Sequence, residues 1–467
     1  MPTLFAVLLA LAGTPAASVL PAAAAQAPSI EAEAREILDQ LLAVDTSHGN
    51  ETRALELVKA RFARAGLASQ ILESAPGRGN LIARVKGSGA KKPLLLVAHI
   101  DVVPVEGQNW TTPPFTPTER DGYLSARGVS DDKAMASAIA ALALELTRSR
   151  AKLSRDVIVA LTAGEETGGD AGVRWLVAHH RALIDAEIAF NEGGGLLLAE
   201  SGERMQSVGL QLAEKTFQTF RLSARGKGGH SSVPPPENPI TTLARALIKV
   251  GEFRFPAHVL PEAKDQLLQA AGNEQGPIAA ALRNVVASAP RIAPPDEELI
   301  AQDRIYNAWV RTTCVATMLK GAPQDNVLPT VAAAEVNCRI LPDETIEGTQ
   351  AALAKAIGDP AVELTRVSDF GAGGETALQP EVERAVQGAA KKLWGDVPVL
   401  SVLSTGATDS RYLRQAGISA YGINTAPGTL GDQRKGFGAH GANERRPVRW
   451  LGDGVRFLRE MALSLAL

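Results

Sequence analysis

Apolar and polar positions along the chain follow two periodicities. Residues 30–42, 51–65, 133–147 and 172–181 carry apolar side chains three and four apart, which predicts helices. Residues 93–99, 157–162 and 186–190 are short, continuous apolar runs, which predict strands covered on both faces. Strands alternating with helices predict an α/β unit. Each buried run ends in polar residues. The first reaches His99, the second is followed by Gly-Glu-Glu, and the third runs into Asn-Glu-Gly-Gly-Gly. Ligands of such sheets gather beyond the carboxyl ends of the strands.

From about residue 215 the pattern changes. Residues 216–225 alternate as a half-exposed strand does, and 239–253 are helical. Strands follow at 311–320 and 332–340, then a helix at 345–357 and a strand at 361–367. This β-α-β-β-α-β order is the ferredoxin-like split unit. Residues 255–308 interrupt it, polar and Pro-rich with some helical character, and read as an insertion. The earlier pattern returns with a helix at 381–394, a strand at 398–403 and a helix at 448–466. The expected fold class is α/β: helices around a mixed sheet, formed by residues 29–214 and 373–467. An α+β domain at 215–372 interrupts it.

Composition narrows the classes. The 467 residues are 45% hydrophobic and 21% charged, a globular balance. A net charge of −3 provides no field to recruit nucleic acid. Two cysteines, Cys314 and Cys338, exclude a disulfide-built scaffold and a Cys-rich zinc module. They read as buried thiols in neighbouring strands, with a bond open to them if the chain is exported.

The first charged side chain is Glu31. Before it lie an apolar stretch at 4–13 and a small-residue run at 22–25, read as a signal peptide over residues 1–25 with cleavage after Ala25 or Ala27. No Lys or Arg precedes the apolar core, which leaves an uncleaved anchor extending through Leu20 as the alternative. No other run reaches roughly 18 apolar residues, so the mature chain is expected to be periplasmic or secreted, without a membrane span.

Five polar clusters carry candidate chemistry: His99-Ile-Asp101, Arg127-Gly-Val-Ser-Asp131-Asp132-Lys133, Gly164-Glu165-Glu166, Asn191-Glu192-Gly193 and Gly438-Ala-His440-Gly. Each has an ordinary reading. Glu-Glu is usually a solvated face, Asp131-Asp132 before a helix suits an N-cap, and His440 in a Gly-rich loop suits a surface turn. His179 and His180 read as surface histidines. Together, two histidines and several carboxylates at strand ends make an oxygen and nitrogen donor set. It suits zinc, cobalt or manganese.

In these motifs and their order the sequence resembles the co-catalytic zinc metallopeptidases that include aminoacylase, glutamate carboxypeptidase and succinyl-diaminopimelate desuccinylase. The resemblance runs from about residue 30 to the end. It departs from the family at Ala126, where a glycine is usual, and at Ala134, where Lys-Gly is usual. It implies two Zn2+ per subunit, with Co2+ or Mn2+ as alternatives. Asp131 would bridge them, His99 and Glu192 completing one and Glu166 and His440 the other. Glu165 would be the general base and Asp101 would orient His99.

The resemblance also makes 215–372 a lid and dimerisation domain. Its His230, in Gly228-Gly-His230-Ser-Ser-Val-Pro-Pro, would reach a partner subunit's site. Asn326 and Arg339 would lie near substrate, and Arg411, in Asp409-Ser-Arg411, would clamp a free carboxylate. An ion pair of Arg411 with Asp409 or another acid is the ordinary alternative. Within the family, the chain is most like the Gly-X carboxypeptidase and N-acyl-amino-acid hydrolase branch. The expected function is hydrolysis of an amide bond in small peptides or N-acyl amino acids by an exported homodimer. A catalytically silent binding protein on the same fold is the rival.

Overall fold

The computed structural model describes residues 28–367 and 371–467. The predicted leader lies outside them. Every residue of strands Leu94–His99 and Val157–Thr162 is buried, because helices cover both faces of their sheet. These two strands run parallel, and Ile188–Glu192 and Ser419–Ile423 continue the parallel set. Alternation decides which face each side chain serves. Leu94, Leu96 and Ala98 pack with helices Ile30–Leu42, Lys133–Ser149, Pro380–Trp394 and Val448–Ala466. Leu95 and Val97 pack the other way, onto Val173, Leu176, Tyr412 and Leu413.

The ten-stranded sheet is mixed, since Gly79–Val85 runs antiparallel to Val157–Thr162 and Met205–Glu214 antiparallel to Ser419–Ile423. These two strands, with Ser69–Glu73 and Ser419–Ile423, show no single continuous apolar run and were not among the predicted elements. The parallel strands place His99, Thr162 and Glu192 along one edge, where the site forms.

A separate antiparallel sheet follows the order Thr313–Lys320, Val331–Ile340, Thr216–Arg225, Val362–Arg366. Helices Pro239–Glu252 and Ile346–Ile357 cover one face. This is the predicted β-α-β-β-α-β order with its ferredoxin-like strand arrangement. The chain enters it directly from Glu214 through Lys215 to Thr216 and leaves beside the same point. There Glu214 N–H donates to Gly374 (3.3 Å) and Gly373 N–H to the Thr216 hydroxyl (2.8 Å). A Cβ on Gly373 would sit 2.5 Å from the Glu214 carbonyl oxygen, so this crossing requires glycine.

One expectation is refined and one corrected. The helical character expected in residues 255–308 takes the form of packed helices. These are Lys264–Asn273, Gly276–Ala287 and Pro294–Ala301, whose Leu267, Leu282, Val285 and Ile300 form an apolar cluster with Ala213 and Leu403. Prolines in the first turn start Gly276–Ala287 and Pro294–Ala301, so part of the Pro-rich composition belongs to helix starts. Cys314 and Cys338 are not free thiols. They occupy directly opposed positions of neighbouring strands and are bonded to each other.

Candidate active site

His99 is the last residue of its strand and 1% exposed. Its Nδ1 donates to the backbone carbonyl of Asp101 at 2.9 Å. A carbonyl can only accept, so Nε2 is left to face inward. It lies 2.9 Å from Asp131 Oδ1 and 3.6 Å from Glu192 Oε2. His440 Nε2 lies 3.2 Å from Asp131 Oδ2 and 3.1 Å from Glu166 Oε1. Asp131 thus presents one carboxylate oxygen to each imidazole. Donor atoms of His99, Asp131 and Glu166 lie within 4.8 Å of one another, as do those of His99, Glu165 and Glu192. All six residues meet at the sheet edge, although 341 positions separate His99 from His440 in the sequence.

The Asp101 side chain also reaches the next turn. Its carboxylate stands 3.5 Å from His99 Nδ1 and accepts the backbone N–H groups of Glu165 (3.2 Å) and Glu166 (3.1 Å). It therefore holds the turn that carries both glutamates. The other end of that turn is held by Tyr412, whose hydroxyl donates to the Gly168 carbonyl at 2.5 Å. Gly169 has φ +77°, and a Cβ there would lie 2.9 Å from Asp409 Oδ1, so glycine is required. Asp132, at the start of the following helix, makes no side-chain cap; the N-cap reading of Asp131-Asp132 does not hold.

The electrostatics are those of a cation site. Burial opposes charge on His99, but Glu192, Asp101 and Asp131 outweigh it and hold the imidazole well above its usual range. Hydrogen bonds from Asp131 and Glu166 raise His440 to about 10. Burial and the Asp131 charge push Glu192 up to about 8. Burial, then Glu192, also raises Glu165 well above the carboxylate range. Two inward Nε2 atoms and a ring of carboxylates suit borderline dications.

The remaining predicted residues divide. Arg411 is 4% exposed, its guanidinium 4.6 Å from the Tyr412 ring centre. Asp409 is buried with neither carboxylate oxygen hydrogen-bonded, so it is not the hydrogen-bond partner of Arg411. Arg339 stacks over Phe217 at 4.6 Å, and burial, then the Arg411 charge, lowers its pKa, opposed by Glu165. Arg339 is therefore near enough to Arg411 and Glu165 to feel both charges. His230 and Asn326 do not join the cluster. His230 lies exposed on a short hairpin, with Nδ1 2.8 Å from the Ser232 hydroxyl, and the Asn326 carbonyl accepts the Ser231 N–H beside it at 3.1 Å.

Sequence reasoning missed Glu444 and gave Arg127 no role. The two pair at 2.7 Å, and Glu444 also accepts the N–H groups of Gly128 and Ser130. The signal available was proximity: Glu444 lies four residues beyond His440, and Arg127 four before Asp131.

The description "Peptidase family M20/M25/M40" matches residues 95–464. The chain belongs to that family. It is 28% identical over 438 residues to the N-fatty-acyl-amino acid synthase/hydrolase PM20D1 of Mus musculus, covering 90% of this chain and 85% of that one. It is 27% identical over 278 residues to a probable carboxypeptidase S-like 1 of Dictyostelium discoideum, covering 58% of this chain and 52% of that one. Its fold is similar to that of an M20 family metallo-carboxypeptidase from Sulfolobus solfataricus, with TM-score 0.67, 20% identity, and 93% and 98% of the two chains covered. As a member of M20/M25/M40 the chain is an amide hydrolase, with a donor cluster able to hold metal ions. Among the described residues, no helix is long and apolar enough to cross a membrane.

Proposed function

We propose that this chain is an exported, dizinc hydrolase of small peptides or N-acyl amino acids that carry a free C-terminal carboxylate. The observation that carries the metal assignment is Asp131, with one oxygen toward His99 and the other toward His440. His99 and Glu192 would hold one Zn2+, Glu166 and His440 the other, and Asp131 both. Bound there, two dications supply Lewis acidity and lower the pKa of a shared water.

The protein's own groups do the rest. In this reading Glu165, whose donor atom lies within 4.8 Å of those of His99 and Glu192, is kept off the metal and accepts the proton of the attacking water at its carboxylate. It returns that proton to the leaving nitrogen. Arg411, with Arg339 beside it, fits a carboxylate with its planar fork. Asp101 and Tyr412 fix the turn on which Glu165 rides.

His230 and Asn326 lie in a different part of the chain from the cluster, which supports a lid at 215–372 acting between two subunits. The edge strand Thr313–Lys320 leaves Val315, Met318 and Leu319 at least half exposed. An open apolar edge invites a second copy, and the paired cysteines suit an oxidising, exported setting.

The test is purified, zinc-loaded protein with a mixed panel of dipeptides and N-acyl amino acids, products read by mass spectrometry with and without chelator. Chelator-sensitive release of free amino acids is the expected result. Turnover that survives complete metal removal would overturn the mechanism, and absence of product with two metals bound would overturn the substrate class.

A further inference from the structure

The cluster opens on its Glu192 side into a cavity of about 380 Å³. Asp131, Glu192 and Ala439 line it, whereas Glu165, Glu166, Asp409 and Arg411 do not. The cavity thus adjoins Asp131 and Glu192, and the base and the carboxylate clamp lie outside its lining. In the function proposed above, Glu165 serves the leaving nitrogen, whose amino acid extends toward Arg411. The acyl half of the substrate is then left to this cavity.

The walls are glycine backbone, Gly193 and Gly194 on one side and Gly436 and Gly438 on the other. The single hydrocarbon side chain is the Ala439 methyl; the rest are polar, Ser130, Asn424, Gln433 and Arg446 among them. Ser130 is 3% exposed, and its hydroxyl has no hydrogen-bond partner among the described residues. A buried hydroxyl left unpaired costs free energy that a ligand acceptor recovers. Arg446 adds a buried cation, anchored by its donors to the carbonyls of Ala426 (3.0 Å) and Arg445 (3.1 Å). A cation and a hydroxyl favour an oxygen acceptor and disfavour a free ammonium. A long alkyl chain finds almost no apolar wall to bury against.

We infer that this cavity is the acyl-side subsite and takes a short acyl group carrying an oxygen acceptor in preference to a long alkyl chain. The inference rests on the hydrolase reading with Arg411 as clamp. The experiment uses the zinc-loaded protein and one amino acid carrying N-methoxyacetyl, N-butyryl or N-oleoyl. The first two are isosteric and differ by an ether oxygen in place of a methylene. Expected is a kcat/KM for methoxyacetyl about three- to tenfold above butyryl, the size of one hydrogen bond. Oleoyl should gain nothing over butyryl, because its additional methylenes find no apolar wall to bury against. Ser130→Ala should draw the methoxyacetyl-to-butyryl ratio toward one. Oleoyl cleaved faster than butyryl, or a ratio untouched by Ser130→Ala, would overturn the subsite. Failure to cleave all three with metal bound would overturn the underlying hydrolase reading instead, a distinguishable result.

Discussion

Arg127 and Glu444 form a fully buried ion pair at 2.7 Å that joins two loops 317 residues apart in the sequence. Glu444 accepts the N–H groups of Gly128 (3.1 Å) and Ser130 (2.6 Å) from the loop leading to Asp131. Arg127 reaches the carbonyls of Gly441 (3.3 Å) and His440 (3.4 Å). The pair sets Asp131 in register with His440. Glu444→Ala leaves a buried guanidinium without its counter-charge and two N–H groups without an acceptor, and should cost about 3–5 kcal/mol. Glu444→Gln keeps an acceptor and should cost less. Denaturant unfolding reads the stability, and metal content should fall in both. A folded Glu444→Ala protein with full metal occupancy would remove the positioning role.

Glu165 and Glu192 are both carboxylates in one cluster, and substitution should separate their jobs. Glu165→Gln should keep both metals and lose turnover by about 10²–10⁴. Glu192→Ala should lose about half of the bound metal. Metal analysis beside steady-state kinetics checks both. Normal turnover in Glu165→Gln would sink the base assignment.

If His230 acts across a dimer, His230→Ala and Glu165→Gln should complement each other. Each alone should fall by about 10² or more. Co-expressed subunits that pair at random should recover about a quarter of the wild-type sites, through hybrids with one complete site. No recovery in proven hybrid dimers would place His230 outside the partner's site.

The Cys314–Cys338 bond spans 24 positions within one sheet. Loop closure of that size is worth about 2–4 kcal/mol. The double variant Cys314→Ser, Cys338→Ser should unfold at lower denaturant by that amount, and reductant should shift the wild type but not the variant. An identical midpoint with and without reductant would show that the bond carries no stability.

Lys215 lies fully buried at the crossing between the two sheets, its ammonium nitrogen 2.6 Å from the Arg311 carbonyl. Burial lowers its pKa from 10.5 to about 7; Arg339 and Arg311 add to this and Glu344 opposes it. Between pH 7 and 10.5 the folded state holds the neutral amine while the unfolded chain holds the proton. The unfolded state binds more protons, so this residue's contribution to stability rises with pH across that window. The slope is at most about 1.4 kcal/mol per pH unit. Lys215→Met should therefore gain on the wild type as pH falls toward 7, read from unfolding midpoints at pH 7 and 10. A constant gap would show that Lys215 is charged in both states.

Strands such as Leu94–His99 and Val157–Thr162 were legible because both faces are buried, which leaves an unbroken apolar run. Ser69–Glu73 was not, because a half-exposed edge strand mixes its pattern with that of a loop. Some helical character was legible in 255–308, where prolines in the first turn start two of the helices.

The order of the chain therefore determined the α/β and ferredoxin-like units, and the residue types determined the donor set, since imidazole and carboxylate chemistry is local. What only the tertiary structure decided is position. It put one oxygen of Asp131 against each histidine, turned Asp101 onto the Glu165–Glu166 backbone, brought Glu444 under Arg127 and closed Cys314 on Cys338. Those are pairings between residues distant in sequence. Periodicity carries no record of them, because each depends on how separate elements pack.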